Sequence, residues 1–281
     1  MIRKLLGLLA VAGFLSTGAA LAQAPAAGAE KSRLDEVMQR GKVIVGVTSE
    51  APPFGFIDEK GELVGFDIDI AKLIAKYLFG KDESPTRIEF VKQGFAARWP
   101  NVESGAVDFG IQVTTILPDR VLRVGFTRPY IDSGIVLVVR KNSPFKQLKD
   151  LNDAKYTTAV LTNPQQAERA KLHFPKAKVV VFDSVAAEFT AVKTNRADAA
   201  QLDTPVAKWY VKQNPDMRIL EEAMMPPTNN AIFLKLGDFK WWQVLDTLVG
   251  EMTGGSLYPE YAAIYEKWFG SKPLHGKYYV K

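Results

Sequence analysis

Two short polar clusters lie at the ends of predicted strands in this 281-residue sequence. Thr114 and Thr115 follow a predicted strand at 108–113, and Asp203 follows another at 199–202. In open α/β sheets, ligands bind beyond the carboxyl ends of the strands. Hydroxyl and carboxylate groups there can hydrogen-bond a small polar molecule. The clusters therefore indicate a binding cleft.

Patterns typical of catalytic or metal sites are missing from the sequence. It has no cysteine, and its two histidines, His173 and His275, are isolated in sequence. No serine has the nucleophile-elbow context of a hydrolase, and no Cys or His cluster has metal-ligand spacing. We therefore expect a binding protein rather than an enzyme, with neither a metal nor another cofactor.

The first 22 residues have the features of a secretory signal peptide. Arg3 and Lys4 precede an apolar run at 5–15, and a small-x-small cleavage site ends at Ala22. The run is too short to span a bilayer comfortably, which disfavours a membrane anchor. We predict cleavage near Ala22, a flexible leader at 23–33 and a periplasmic location. Without a cysteine, the cleavage site offers no acceptor for lipid.

The charge pattern does not favour a nucleic-acid partner. The formal net charge is +5 at pH 7, but the lysines and arginines are scattered rather than clustered. Beyond the predicted signal, no apolar stretch approaches the length of a membrane span. A role at the membrane would therefore run through a partner protein.

Short β-rich runs alternate with amphipathic helical patterns, which is typical of an α/β sheet with crossover helices. The first set comprises strands at 42–47, 87–91 and 108–113 and a helix at 66–79. The second set comprises strands at 135–140, 156–161, 179–182 and 199–202, and helices at 164–173, 185–194 and from Pro205. A strand at 231–234 and helices at 241–252 and 258–269 follow, the last with core-forming aromatic residues at helical spacing.

The two sets also share a local pattern. SGAVD at 104–108 and NRAD at 195–198 each join a helix end to a strand through a small turn and an aspartate. Two similar lobes are the natural interpretation, with chain crossings near Gly134 and Asn229. The predicted layout is lobe 1 at 34–133 plus 230–281 and lobe 2 at 134–229.

Several motifs make the chain resemble family 3 of the extracellular solute-binding proteins, the polar amino-acid receptors of ABC importers. In chain order they are GFDIDIAKLIA at 65–75, SGAVD at 104–108, TT at 114–115 with Arg120, FT at 126–127, RAD at 196–198, DTP at 203–205 and YEKWFG at 265–270. They cover nearly all of the predicted mature chain. The resemblance implies a type II periplasmic-binding-protein fold, with two α/β lobes joined by two hinge crossings. It also implies a monomer that delivers an amino acid to a membrane permease.

The first of these motifs is expected to be mostly scaffold. Gly65 permits a tight turn into the helix, while Ile68 and Leu73 pack inward. We expect Asp67 to cap or complement the positive start of the helix rather than to contact ligand.

The resemblance assigns the charged groups of the ligand to Arg120 and Asp203. A guanidinium can hold a carboxylate with two parallel charged hydrogen bonds, and Arg120 has the family spacing from Thr115 and from the FT pair at 126–127. Asp203, in the other lobe, would accept hydrogen bonds from the ammonium. A ligand with both charges would bridge the lobes and stabilise the closed form. The alternatives are a surface pair of Arg120 with Asp119 and a capping role for Asp203.

The aromatic part of the expected pocket departs from the family pattern. Phe95 matches an aromatic residue that stacks on the ligand side chain in similar proteins. Its customary partner position is occupied by Ala51, so Phe54 or Trp99 is considered as a substitute.

The helix start at 163–165 departs as well. Asn163, Pro164 and Gln165 replace the Gly-Thr-Thr or Gly-Thr-Ser of the family. Asn163 is a candidate ligand contact, but Pro164 lacks a backbone donor, so the contacts made there must differ from those of better-known members.

Arg98 is the candidate for side-chain selectivity. It lies three positions after Phe95 and resembles an arginine that contacts the side-chain carboxylate in some aspartate and glutamate receptors. Thr114 and Thr115 resemble the paired threonines of such receptors. These features favour an acidic ligand, with glutamine-like ligands next. The alternative function is a cyclohexadienyl dehydratase-like enzyme on the same fold, for which Asp203 is an available proton donor.

Overall fold

A computed structural model describes residues 31–80, 84–225 and 227–273. The predicted signal peptide at 1–22 and most of the predicted leader lie outside these residues. Within the described ranges, no helix is long and apolar enough to cross a membrane.

The described residues form eight α-helices. Their bounds are α1 Arg33–Arg40, α2 Phe66–Phe79, α3 Arg98–Ser104, α4 Pro164–His173, α5 Val185–Lys193, α6 Thr204–Gln213, α7 Phe239–Gly254 and α8 Tyr258–Phe269. The helices predicted at 66–79, 164–173 and 258–269 are confirmed to the residue. Helices α1 and α3 were not predicted from the sequence. They are short, and the signals of α1 are its capping residues, Ser32 and the left-handed Gly41.

Fifteen strands form two large sheets and two small ones. Their bounds are β1 Val43–Val47, β2 Glu50–Ala51, β3 Gly55–Ile57, β4 Leu63–Val64, β5 Ile88–Lys92, β6 Phe109–Gly110, β7 Val124–Phe126, β8 Ile131–Ser133, β9 Ile135–Arg140, β10 Thr157–Leu161, β11 Lys178–Phe182, β12 Ala199–Asp203, β13 Met217–Ile219, β14 Thr228–Asn230 and β15 Phe233–Lys235. The predicted strand at 108–113 was too long. Only β6 forms there, since the chain then leaves the sheet and reaches Val113 with a left-handed φ of 43°.

The two large sheets have the same plan. The first has the order β5-β1-β6-β15-β7, and the second has the order β11-β10-β12-β9-β13. In each, three parallel strands meet an antiparallel fourth strand, β15 in the first sheet and β9 in the second. Helices pack on these sheets, so each sheet is the centre of an α/β lobe. The protein has the two-lobe, type II periplasmic-binding-protein fold.

Strands β8 and β14 form an antiparallel pair that lies, in chain order, between the parts of the two large sheets. The predicted crossings near Gly134 and Asn229 fall at this pair. The lobe boundaries at 133/134 and 229/230 remain a prediction.

The shared turn pattern has a structural counterpart in each lobe. Gly105 and Asn195 both adopt left-handed backbone, with φ of 79° and 61°. The aspartate that follows each turn accepts a hydrogen bond from a backbone N–H of the first parallel strand. Asp108 accepts from Ile44 at 2.6 Å, and Asp198 accepts from Thr157 at 2.9 Å.

Asp67 lies buried in the first turn of α2, where a carboxylate can complement the positive helix start as expected, but it does not cap the helix. Helix α2 begins after Gly65, without a side-chain cap. The Asp67 carboxyl instead accepts hydrogen bonds from the Tyr130 hydroxyl at 2.8 Å and from the Val113 backbone N–H at 3.2 Å. Burial raises the pKa of Asp67 to about 7, against the opposing effect of these two hydrogen bonds. It therefore ties α2 to the segments before β8 and after β6.

Candidate functional site

A cavity between the lobes brings together six of the eight predicted site residues. Phe95, Arg98, Thr115 and Arg120 line it from the first lobe, and Asn163 and Asp203 line it from the second. Both polar clusters at strand ends therefore contribute to one cleft, as the strand-end rule predicts.

Arg120 is buried, with 7 % of its surface exposed. Its Nη1 donates to the backbone carbonyl of Thr115 at 2.8 Å, while its Nε is buried without a hydrogen-bond partner. The alternative of a surface pair with Asp119 is wrong, because Arg120 turns inward and Asp119 accepts a hydrogen bond from Gln165 instead. The guanidinium thus has free donor capacity in the cavity.

Arg98 is the first residue of α3 and is 4 % exposed. Its Nη1 lies 3.4 Å from the hydroxyl oxygen of Thr114, and its guanidinium carbon lies 4.2 Å from the centre of the Trp99 ring. Burial, with a smaller effect of the Arg120 charge, lowers the pKa of Arg98 to about 9. Arg98 therefore remains a cation at neutral pH, held over an aromatic face.

Asp203 ends β12 and faces the arginines across the cavity. Its Oδ1 accepts a hydrogen bond from the Ser133 hydroxyl at 3.0 Å. It occupies the N-cap position of α6, but its side chain makes no capping bond, so the alternative capping role is wrong. Burial raises the pKa of Asp203, opposed by the Ser133 hydrogen bond and the charges of Arg120 and Arg169.

Two predicted site residues and one considered substitute lie behind the cavity wall. The Phe54 ring is fully buried in the core, in edge contact with Phe66 and Phe269. Thr114 is also fully buried, and its hydroxyl donates to a backbone carbonyl while it faces Arg98. Trp99 lies under Arg98 and supports it, so its aromatic surface positions a cation.

The polar groups at the start of α4 form hydrogen bonds with one another. The Asn163 side chain accepts a hydrogen bond from the Gln165 backbone N–H at 3.1 Å. The Asn163 carbonyl accepts from the N–H groups of Gln166, at 3.0 Å, and Ala167, at 3.4 Å. Since Pro164 has no N–H, no backbone donor within the first turn of α4 itself is left for a ligand.

Sequence reasoning missed four polar residues of the second lobe that line the cavity: Gln166, Arg169, Glu188 and Gln201. Gln201 shares a strand face with Asp203, so the alternation of β12 could have found it. Arg169 lies one helical turn after Gln165, a spacing that places both on one face of α4. Glu188, within α5, carried no comparable signal.

Glu188 is fully buried. Its Oε1 accepts the Gln201 backbone N–H at 3.0 Å, while its Oε2 is buried without a partner. Burial raises the pKa of Glu188 well above its ordinary value, and the charge of Asp203 adds to the shift. Burial therefore favours the protonated form of this carboxyl group.

The cavity consequently has an excess of positive charge. Its ionisable lining residues, within the described chain, are three arginines and two carboxyl groups. Three guanidinium groups, those of Arg98, Arg120 and Arg169, therefore share the cavity with two carboxyl groups, those of Asp203 and Glu188.

Direct contacts join the lobes at the edge of the cavity. The Gln165 side-chain amide donates to the Asp119 carboxylate at 2.5 Å. The rings of Phe56 and Trp209 lie 5.6 Å apart, centre to centre. The structure is therefore a closed form of the two lobes.

Comparison with known proteins agrees with this architecture. A solved structure described as the ancestral amino acid-binding protein AncCDT-1, a precursor of cyclohexadienyl dehydratase, superposes with a TM-score of 0.77 at 32% identity. The match covers 85% of this chain and 100% of that one.

Curated relatives are binding proteins. The glutamine-binding protein of Geobacillus stearothermophilus is 34% identical over 190 residues, which cover 67% of this chain and 71% of the relative. The ABC transporter glutamine-binding protein GlnH of Bacillus subtilis (strain 168) is 27% identical over 247 residues, 87% of each chain.

The family expected from the sequence motifs is confirmed. The model of the bacterial extracellular solute-binding proteins, family 3, matches residues 43–271. The fold, the relatives and this match agree, and the chain belongs to family 3 of the bacterial extracellular solute-binding proteins.

Proposed function

We propose that this protein binds an amino acid with an acidic side chain between its lobes and delivers it to the membrane permease of an ABC importer. The observation that carries the proposal is the charge of the cavity, in which three guanidinium groups face two carboxyl groups. The curated relatives, named for glutamine binding, support an amino acid as the ligand.

The charge excess favours an anionic over a neutral amino acid. The α-carboxylate of any amino acid can pair with Arg120, and its ammonium with Asp203. A neutral amino acid leaves the remaining arginine charge in the closed cavity uncompensated, which is unfavourable in a desolvated site. A side-chain carboxylate at Arg98, next to Phe95, compensates part of this charge with charge-assisted hydrogen bonds.

The location and mode of action follow the same proposal. Residues 1–22 act as a signal peptide that is cleaved near Ala22, and the mature protein works in the periplasm as a monomer. Ligand contacts with both lobes stabilise the closed form, which differs in shape from the open one. The permease distinguishes loaded from empty receptor by that difference.

A ligand screen tests the proposal directly. Thermal unfolding of the mature protein is followed with each of the twenty amino acids, and with prephenate and arogenate. A ligand at a hundred times its Kd adds about 2.7 kcal/mol to the free energy of unfolding, so a true ligand raises the Tm measurably. Aspartate or glutamate should give the largest shift. A larger shift with neutral or basic amino acids would contradict the acidic-ligand proposal.

Arg98→Met tests whether Arg98 recognises the side-chain carboxylate of the ligand. We expect it to weaken aspartate or glutamate by about 1.5–3 kcal/mol, the scale of one charge-assisted hydrogen bond, and to spare the amides. Arg123→Met is a matched control, because Arg123 is exposed and paired with Glu103 at 2.7 Å. Calorimetry showing equal losses for glutamate and glutamine would mean that Arg98 supports the pocket without reading charge.

A second candidate function is an enzyme of the cyclohexadienyl dehydratase type. Two observations favour it: the similarity to a described precursor of such an enzyme, and Glu188, a carboxyl group in the cleft whose pKa is raised by burial, as a general acid requires. Incubation with prephenate or arogenate, followed by product analysis, separates the two functions. Turnover that Glu188→Gln abolishes would establish the enzyme, and binding without turnover supports the receptor.

A further inference from the structure

Arg169 lines the cavity, but neither the sequence motifs nor the pairing of the ligand with Arg120 and Asp203 assigns it a role. We propose that Arg169 is a ligand-binding residue that holds the ligand α-carboxylate from the second lobe, opposite Arg120 on the first. The inference rests on the proposed function, since it takes an amino acid to be the ligand.

The first support is that α4 cannot bind an anion with its backbone. Pro164 has no N–H, and the N–H groups of Gln165, Gln166 and Ala167 all donate to Asn163. The Gln165 side chain is also engaged, with Asp119 across the cleft edge. A contact from α4 itself to a carboxylate therefore comes from a side chain, and Arg169 is the cation on this helix among the described residues that line the cavity.

The second support is the position of Arg169. It lies four residues after Gln165, on the cavity face of α4, and lines the same cavity as Arg120 and Asp203. Its guanidinium donates to the neutral side-chain oxygen of Gln201. Among the described residues, no carboxylate lies within ion-pair distance of Arg169, so its charge has no direct partner.

Gln201 holds Arg169 in place. The Gln201 side-chain amide donates to the Gln166 backbone carbonyl at 3.1 Å, which fixes its oxygen toward Arg169. The Glu188 carboxyl accepts the Gln201 backbone N–H, which fixes the strand. A guanidinium restrained by a neutral group keeps its remaining donors for another acceptor.

The third support distinguishes which ligand group Arg169 holds. Burial lowers the pKa of Arg120 and the charge of Arg169 lowers it further, so the charge of Arg169 acts on Arg120 across the cleft. An anion between them relieves that repulsion, and Arg120 is the residue assigned to the α-carboxylate. Because one carboxylate then contacts both lobes, it stabilises the closed form.

Arg169→Met tests the inference by calorimetry with glutamate and glutamine, using the full mature protein. Since both ligands carry an α-carboxylate, we expect both affinities to fall by a similar factor, about 10- to 100-fold for a lost charged hydrogen bond. Arg98→Met should instead affect glutamate alone. Lys171→Met removes an equal charge from an exposed site on the same helix and should change neither affinity.

The outcomes separate this inference from the proposed function. If the parent protein prefers a neutral amino acid, the acidic-ligand proposal fails, and Arg169 is tested with that amino acid and its α-amide, which lacks the carboxylate charge. Arg169→Met should then weaken the amino acid much more than the α-amide. A loss confined to glutamate, an unchanged affinity, or a parent that binds no amino acid overturns the inference. Arg169→Lys, which keeps the charge, should retain part of the affinity, and a thermal melt of each variant verifies folding.

Discussion

Asp67→Asn should remove a loss of unfolding free energy that occurs as the pH rises and that arises from the buried Asp67 carboxyl group. The Asp67 side chain is fully buried and its pKa is raised from 3.8 to about 7, chiefly by burial. The folded protein therefore holds a proton on Asp67 at pH values where the unfolded chain has released it.

The sign and size follow from this difference in proton binding. Below about pH 4 the carboxyl is protonated in both states and its ionisation costs no stability. As the pH rises toward 7, the unfolded state loses the proton first, so the free energy of unfolding falls. At 1.36 kcal/mol per pKa unit, the shift corresponds to a loss of roughly 4 kcal/mol, complete above about pH 7.

Asparagine is a suitable neutral replacement for the protonated acid. Its oxygen can accept from the Val113 N–H, and its amide can donate to the Tyr130 hydroxyl oxygen. The segments that contain Val113 and Tyr130 therefore each keep a hydrogen bond to residue 67. Urea unfolding of parent and variant, followed by tryptophan fluorescence between about pH 4 and about pH 8, gives the difference in unfolding free energy. That difference should move in favour of Asp67→Asn by several kcal/mol over the range.

A difference between parent and variant that stays flat across this pH range would refute the reasoning, because it would mean that folding does not change the proton affinity of Asp67. Tyr130→Phe provides an independent check. The Tyr130 hydrogen bond lowers the pKa of Asp67, so its removal should shift the loss of stability to higher pH.

Three further predictions concern the cleft and the fold. Arg120→Ala and Asp203→Ala should each abolish measurable amino-acid binding with the fold intact, because each leaves an opposite charge of the ligand unpaired. Near-parental affinity by calorimetry for either variant would contradict the role assigned to that residue. Gln165→Leu removes the hydrogen bond to Asp119 that joins the closed lobes; stopped-flow measurement should show ligand dissociation accelerated by about fivefold. Asn195→Ala should cost about 1 kcal/mol of unfolding free energy because φ is +61°, whereas Asn195→Gly should not.

Much of the fold was predictable because it rests on local periodicity. The buried face of α2 and the apolar run of β9 show their element type in the sequence, and both bounds matched. One predicted strand was too long, because the chain leaves the sheet for a tertiary contact. At 108–113, the Val113 N–H is bound by Asp67, a residue 46 positions away, and no local pattern encodes that contact.

The site was predictable where a motif fixed the position and not where side-chain direction decided the role. Arg98, Arg120 and Asp203 were found from spacing and family likeness, and all three line the cavity. Phe54 has the right type and neighbourhood, but its ring points into the core. Arg169 lies in an ordinary polar helix sequence, and only the packing of α4 brings it to the cleft.

The position of β15 in the first sheet has a consequence for how the chain folds. The five strands of the second sheet lie between Ile135 and Ile219, so that sheet can assemble from one contiguous stretch. The first sheet cannot be completed in this way, since β15 lies between β6 and β7 and follows the whole second sheet in sequence. Pairing β7 with β15 requires closing a loop of about a hundred residues, an entropic cost that an already folded insertion reduces. During synthesis from the amino end, the second lobe can therefore fold before the first lobe is complete. Its folding brings the two distant halves of the first lobe together.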